Sequence, residues 1–121
     1  MIGKLLRSVA NSLNGLAHAL GTEPILQMHA VIAVAVIAAG IYFAIATAEW
    51  IAVTLCIGLV ISAECANTAI ERLADRVSLE EHPLIKQAKD CSAAAVLMLA
   101  TTSGVIGCII FVPKVRAWTG W

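Results

Sequence analysis

Three long apolar stretches dominate the pattern of polar and apolar positions along the chain. No Asp, Glu, Lys or Arg occurs at 24–48, 50–63 or 91–113. A helix needs about 20 residues to cross a bilayer, so the first and last stretches predict transmembrane helices at 25–47 and 91–112. The stretch 50–63 has only 14 residues, so the second transmembrane helix is predicted at 50–70 and must include Glu64 and Asn67. A short turn around residues 48–50 is expected between the first two.

The segment 2–20 has a different pattern, with apolar and polar side chains on opposite faces of a helix. The apolar face consists of Ile2, Leu5, Leu6, Val9, Leu13, Leu16 and Leu20. This pattern predicts an amphipathic surface helix in the membrane interface. Pro24 is expected to separate it from the first span, because proline can begin a helix but not continue one.

The composition supports an integral membrane protein. Hydrophobic residues make up 60% of the chain and charged residues only 13%, whereas soluble domains carry about 25% charged residues. The net charge is zero and no basic block is present, which argues against nucleic-acid binding. We therefore expect a single all-α membrane domain, 1–121, in which glycines 40, 58, 104 and 107 allow close helix packing.

Basic residues near the predicted span ends indicate the orientation in the membrane. Lys4 and Arg7 precede the first span, four Lys or Arg residues occur in the polar segment 71–90, and none occurs at 48–50. By the positive-inside rule, the N-terminus and segment 71–90 are expected on the cytoplasmic side. Lys114 and Arg116, beyond the third span, run against this orientation.

The polar residues of the second span are the main candidates for chemistry. Glu64, Asn67, Glu71 and Asp75 fall within roughly 80° of one another on a helix with 3.6 residues per turn. A carboxylate inside a span costs roughly 2.5–3.5 kcal/mol by insertion scales, and stacked carboxylates repel unless a cation or proton lies between them. Carboxylate and phosphate oxygens are the ligands that Mg²⁺ prefers.

Each of these residues also has a purely structural interpretation. Glu64 and Asn67 would then form interhelical hydrogen bonds, and Glu71 and Asp75 would pair with the neighbouring arginines. Glu23 either completes a carboxylate pair on a cation or stabilises the start of a helix. Lys89 either holds a phosphate or extends to the interface.

Two histidines also allow more than one interpretation. His29 lies five residues into the first span, where it can bond a neighbouring helix. His82 precedes Pro83, so a helix-start role and a nucleotide contact are equally compatible with its position. No glycine-rich phosphate loop is present, so a phosphate site would be built from carboxylates and lysines.

Three function classes fit these residues. A phosphate-transferring enzyme uses the whole polar stripe. A proton-conducting or transport subunit needs Glu64 alone, and a structural or regulatory membrane protein needs none of the four.

A series of motifs resembles the prokaryotic diacylglycerol kinase family, which includes the undecaprenol kinases. The series comprises ECANTAIE at 64–71, Asp75, HPL at 82–84, AKD at 88–90 and AAAVL at 93–97. The likeness extends over nearly the whole chain. It implies an ATP-dependent lipid kinase, multi-pass in the bacterial cytoplasmic membrane and homotrimeric, with active sites shared between subunits near the cytoplasmic face.

The resemblance also implies roles for individual residues. Glu64 would be the general base, and Glu23 and Glu71 would hold Mg²⁺. The ATP-binding set would be Lys4, Asn11, Glu23, Asn67, Glu71, Asp75, Glu81, His82, Lys89 and Asp90. Some relatives carry arginine and an aromatic residue where this chain has Lys4 and Asn11.

The acceptor implied by the resemblance is the hydroxyl of a membrane lipid. Diacylglycerol, giving phosphatidic acid, is the first expectation. Undecaprenol, giving undecaprenyl phosphate, is the alternative, and His29 together with HPL at 82–84 resembles that branch of the family.

Overall fold

Four helices account for almost the whole chain in the computed structural model, which describes residues 1–121. The helices are α1 (Ile2–Thr22), α2 (Pro24–Tyr42), α3 (Thr47–Val77) and α4 (Pro83–Thr119). The last three are long and apolar enough to cross a membrane. The all-helical class and the three candidate spans are therefore confirmed, and the chain is a multi-pass membrane protein.

The helix bounds differ from the predicted ones because polar residues extend the helices. At 1.5 Å per residue α3 is about 46 Å long and α4 about 55 Å, against roughly 30 Å of hydrocarbon. Most of the predicted polar segment 71–90 is therefore helical, as the end of α3 or the start of α4, and only residues 78–82 lie between the two helices.

The turn between α2 and α3 lies at residues 43–46, not around 48–50 as the sequence predicted. Glu49 belongs to the first turn of α3, where its Oε2 accepts a hydrogen bond of 2.8 Å from the backbone N–H of Ala46. A glutamate at this position satisfies a backbone donor that the helix leaves free. Its Oε1 accepts from Lys114 Nζ at 2.9 Å, so the basic residue that ran against the predicted orientation is paired.

A small apolar core packs the three long helices together near this turn. Ile45, Val53 and Ile110 are buried together there, and the rings of Phe43 and Phe111 lie 6.4 Å apart. Along the rest of its length α3 packs mainly on α4 and less on α2. The polar ends of these helices, at the start of α2, the end of α3 and the start of α4, therefore come together at the opposite end of the bundle.

Gly40 is required for the close approach of α2 to the start of α3. A Cβ atom at this position would lie 2.7 Å from Trp50 Cη2. By contrast, Cβ atoms at Gly58, Gly104 and Gly107 would meet nothing within 4 Å, so the predicted close packing at these three positions does not occur within one chain.

We expect Gly40→Ala to lower the thermal stability of the protein in detergent. Alanine favours a helix by up to about 1 kcal/mol over glycine, but displacing the Trp50 ring costs roughly 1–3 kcal/mol. Gly15→Ala is the control, because nothing lies within 4 Å of its Cβ position. The melting temperature should fall for the first variant and not for the second; an unchanged Gly40→Ala would contradict the packing argument.

Candidate active site

One continuous helix carries the four polar residues of the predicted stripe. Glu64, Asn67, Glu71 and Asp75 all lie in α3, whose helical hydrogen bonding continues to Val77. Their burial changes along the helix: Glu64 is 4% exposed, Asn67 and Glu71 are half-buried, and Asp75 is exposed. The stripe therefore begins inside the bundle and ends at its polar surface.

Glu64 faces α2, where its carboxylate meets a histidine. Glu64 Oε1 and His29 Nδ1 lie 2.8 Å apart. The two atoms are buried and their approach, although close, is not aligned as a hydrogen bond. The sequence predicts only that His29 can bond a neighbouring helix, and a histidine and a glutamate within spans are each expected to have a partner.

Asn67 and Glu71 are held by a short chain of polar contacts from α4. Ser92 Oγ donates to Asn67 Oδ1 at 2.6 Å, and Asn67 Nδ2 donates to Glu71 Oε1 at 3.2 Å. Ser92 is itself buried. Sequence reasoning missed Ser92. A hydroxyl within the predicted third span, three residues after Lys89, was nevertheless a usable signal, because buried polar groups need partners.

The end of the stripe is joined to α4 by an ion pair. Lys89 Nζ lies 2.5 Å from Asp75 Oδ1, and Lys86 pairs with Asp90 at the same distance. These residues border an open polar cleft of about 520 Å³. Its lining includes five members of the predicted nucleotide set: Asp75, Glu81, His82, Lys89 and Asp90.

Glu23 lies next to the stripe because an arginine of α3 binds it. Arg72 Nη2 donates to Glu23 Oε1 at 2.9 Å and to Thr22 Oγ1 at 2.6 Å. Since Arg72 directly follows Glu71, this contact brings the junction of α1 and α2 beside the half-buried part of the stripe. The structural interpretation from the sequence paired the neighbouring arginines with Glu71 and Asp75, whereas Arg72 pairs with Glu23.

His82 has a structural role in addition to its place in the cleft. Its Nδ1 accepts a hydrogen bond of 3.2 Å from the backbone N–H of Leu84, at the start of α4. The helix-start alternative is thus observed. A contact with nucleotide remains open, because His82 also lines the polar cleft.

Lys4 and Asn11 are not brought into this network. Both are exposed on α1, and neither side chain makes a hydrogen bond or an ion pair. Glu81 lines the cleft but likewise has no side-chain partner. No cluster of three or more Asp, Glu, His or Cys side chains is arranged to hold a metal ion; the two predicted ligands, Glu23 and Glu71, are carboxylates engaged by Arg72 and Asn67.

Comparison with known proteins shows a family match over most of the chain. Residues 10–111 match the profile described as prokaryotic diacylglycerol kinase. Undecaprenol kinase of Bacillus subtilis is 37% identical over 113 residues, which cover 93% of this chain and 92% of that protein. A diacylglycerol kinase of Synechocystis sp. is 35% identical over 90% of this chain and 63% of its own length. A diacylglycerol kinase of Pseudomonas aeruginosa is 51% identical over 43 residues, 36% of this chain and 35% of that protein.

Proposed function

The chain belongs to the prokaryotic diacylglycerol kinase family and is an ATP-dependent lipid kinase, and we propose that it transfers the γ-phosphate at the polar stripe of α3. The observation that carries this assignment is the continuous line from buried Glu64 to the Asp75–Lys89 ion pair beside the open cleft. A lipid hydroxyl stays near the membrane interface, whereas ATP stays in water. The stripe connects these two environments within three helical turns.

Glu64 is the general base in this proposal. Its carboxylate accepts the proton of the lipid hydroxyl, the hydroxyl oxygen then forms a bond to the γ-phosphorus, and the bond from phosphorus to the ADP oxygen breaks. A glutamate carboxylate can act as a general base, and a positioned base of this kind raises the rate roughly 10²- to 10⁴-fold. Phosphoryl transfer otherwise depends on positioning and on neutralising charge.

The open cleft is the proposed site for the nucleotide. Lys89 neutralises phosphate charge there, and Asp75 holds the Lys89 ammonium group in place through their 2.5 Å contact. Glu81, His82 and Asp90 line the same cleft, and Asn67 lies between it and Glu64. Lys4 and Asn11, which have no partners within the chain, would reach the nucleotide from α1.

Glu23 and Glu71 are the proposed ligands of Mg²⁺. This ion is usually bound through one or two carboxylates together with substrate phosphates and waters. The chemistry of these two side chains fits it, although no three-residue metal cluster is present and neither carboxylate lines the polar cleft. When bound, Mg²⁺ supplies charge neutralisation to the phosphates. Glu23 Oε1 is bound by Arg72, so this contact would have to loosen for Glu23 to hold the ion.

The proposed membrane placement follows from the charges and exposed apolar side chains. The N-terminus and residues 71–90 lie on the cytoplasmic side of a bacterial cytoplasmic membrane, in agreement with their basic residues. In α1, Ile2, Leu5, Leu6 and Leu13 are at least 60% exposed. An apolar row of this kind is stabilised when the helix lies in the membrane interface.

A homotrimer is the proposed assembly. Only 11 of 121 residues are buried within one chain, and a compact protein of 12.7 kDa would expose roughly 6,200 Å² rather than 8746 Å². The open, exposed face at Gly58 is typical of close contacts between membrane helices. These features support packing against further copies of the chain.

Undecaprenol is the proposed acceptor. The relative that matches over 92% of its own length is named undecaprenol kinase, whereas the two relatives named diacylglycerol kinase match over 63% and 35% of theirs. Diacylglycerol, the first expectation from the sequence, is the second candidate because of those two matches.

An acceptor assay tests this proposal. Purified protein in detergent micelles receives Mg²⁺ and ATP labelled at the γ-phosphate, with undecaprenol, with diacylglycerol or with neither. We expect labelled undecaprenyl phosphate and, when both lipids are present at equal mole fraction, a higher kcat/KM for undecaprenol. Preferential labelling of phosphatidic acid would select the second candidate, and no labelled lipid with either acceptor would contradict both.

A further inference from the structure

Two buried polar atoms meet between α2 and α3. The side chains of His29 and Glu64 are 14% and 5% exposed, and His29 Nδ1 lies 2.8 Å from Glu64 Oε1. Neither atom has another hydrogen-bond partner. A buried carboxylate without a donor is costly, and the His29 imidazole is the group that lies close enough to supply one.

The surroundings of His29 give it no competing charged partner. The imidazole lines an apolar cavity of about 270 Å³ between α2, α3 and α4. None of the other lining residues is charged, and most are aliphatic. Glu64 is the one carboxylate within ion-pair distance of His29, so we infer that the orientation of each side chain depends on the other.

Two residues that precede His29 hold the start of α2 in place. Glu23, six residues earlier and about 9 Å away along the helix, is bound by Arg72 of α3. Leu26, between them, is fully buried. These contacts hold the first turns of α2 against α3 and so determine where the imidazole meets the carboxylate.

We propose that His29 is a positioning residue for Glu64. Its Nδ1–H donates to one carboxylate oxygen and thereby leaves the other oxygen directed at the acceptor hydroxyl. The contact becomes an aligned hydrogen bond when substrates bind, as is common for catalytic contacts that are loose in the free enzyme. This inference rests on the proposed role of Glu64 as general base, and it assigns His29 no proton transfer to or from the lipid.

Two substitutions distinguish the contribution of the imidazole ring from that of its N–H donor. His29→Phe keeps a ring and removes the N–H, whereas His29→Asn places an amide N–H near the position of Nδ1 and cannot titrate. We expect kcat for lipid phosphorylation to fall roughly 10- to 100-fold in His29→Phe, the effect typical of a misplaced catalytic group, and the KM for ATP to change less than threefold. His29→Asn should recover most of kcat. His18→Asn, at an exposed histidine of α1, is the matched control and should resemble the unaltered protein.

The protonation of His29 Nδ1 can be measured in the unaltered protein, so this part of the test does not depend on whether the His29 variants fold. In ¹⁵N NMR spectra of the histidine-labelled protein, His29 Nδ1 should be protonated, and its signal should shift in Glu64→Gln but not in Glu49→Gln. An unprotonated Nδ1 would overturn the proposal. A wild-type kcat in folded His29→Phe would also overturn it. So would equal losses in His29→Asn and His29→Phe, because that result would mean that an N–H donor alone is not sufficient at this position.

The double variant His29→Phe/Glu64→Gln distinguishes this inference from the proposed function. Because His29 acts through Glu64, the double variant should be no slower than Glu64→Gln alone. Full activity of Glu64→Gln would remove the base assignment itself. Loss of activity in Glu64→Gln with none in His29→Phe would instead leave the base assignment intact and overturn only the role of His29.

Discussion

Replacing Glu64 by glutamine is expected to lower kcat for lipid phosphorylation by roughly 10²- to 10⁴-fold, the range attributed to general-base catalysis. Glutamine has nearly the same size and keeps an oxygen near His29 Nδ1, but it cannot accept the proton of the lipid hydroxyl. ATP affinity should change less than threefold, because Glu64 is 4% exposed and does not line the polar cleft. The measurement is a kcat determination together with direct ATP titration in micelles.

Two further variants define what the loss means. Glu64→Asp retains the carboxylate but withdraws it by about one methylene, so it should be slower than the unaltered protein and faster than Glu64→Gln. Glu49→Gln makes the same chemical change at the other end of α3, where the carboxylate binds Lys114, and should leave kcat unchanged. A fully active Glu64→Gln, or equal losses in all three variants, would rule out a general-base role for Glu64.

The existence and order of the helices could be predicted because they depend on local pattern. The long charge-free runs 24–48 and 91–113 predict spans whatever their neighbours are, and Pro24 marks the start of α2 as expected. The start of α4 at Pro83 lies eight residues before the predicted third span. The turn between α2 and α3 was misplaced because Glu49 was interpreted as a turn residue, whereas it satisfies the Ala46 N–H at the start of α3. Its side-chain contact, rather than its polarity, determines where the helix begins.

The candidate site was predictable where it follows one helix and unpredictable where two helices meet. The spacing of Glu64, Asn67, Glu71 and Asp75 gives their common face without any tertiary information. Their partners His29, Ser92 and Lys89 come from α2 and α4. Helix pairing depends on packing over the whole bundle. The sequence therefore shows that a buried polar residue needs a partner, but it does not show which residue that partner is.

The contacts around Glu71 lead to the second large expected effect, on the requirement for Mg²⁺. Glu71→Gln keeps an oxygen that can accept from Asn67 Nδ2, the 3.2 Å contact seen here, and so preserves the local geometry while removing one negative charge. A two-carboxylate site that loses one charge binds a divalent ion more weakly, and each tenfold loss corresponds to about 1.4 kcal/mol. We expect the Mg²⁺ concentration for half-maximal activity to rise at least roughly tenfold.

The Mg²⁺ titration of Glu71→Gln separates ion binding from the chemical step. If Glu71 holds the ion, saturating Mg²⁺ should restore a substantial part of kcat, whereas no Mg²⁺ concentration should restore Glu64→Gln. Isothermal titration of Mn²⁺ into the protein with a non-hydrolysable ATP analogue gives the same comparison without turnover. Glu49→Gln matches the change in charge at a site distant from the cleft and should leave the titration unchanged. An unaltered half-point in Glu71→Gln would overturn its assignment as an Mg²⁺ ligand and leave Glu71 only as the acceptor for Asn67.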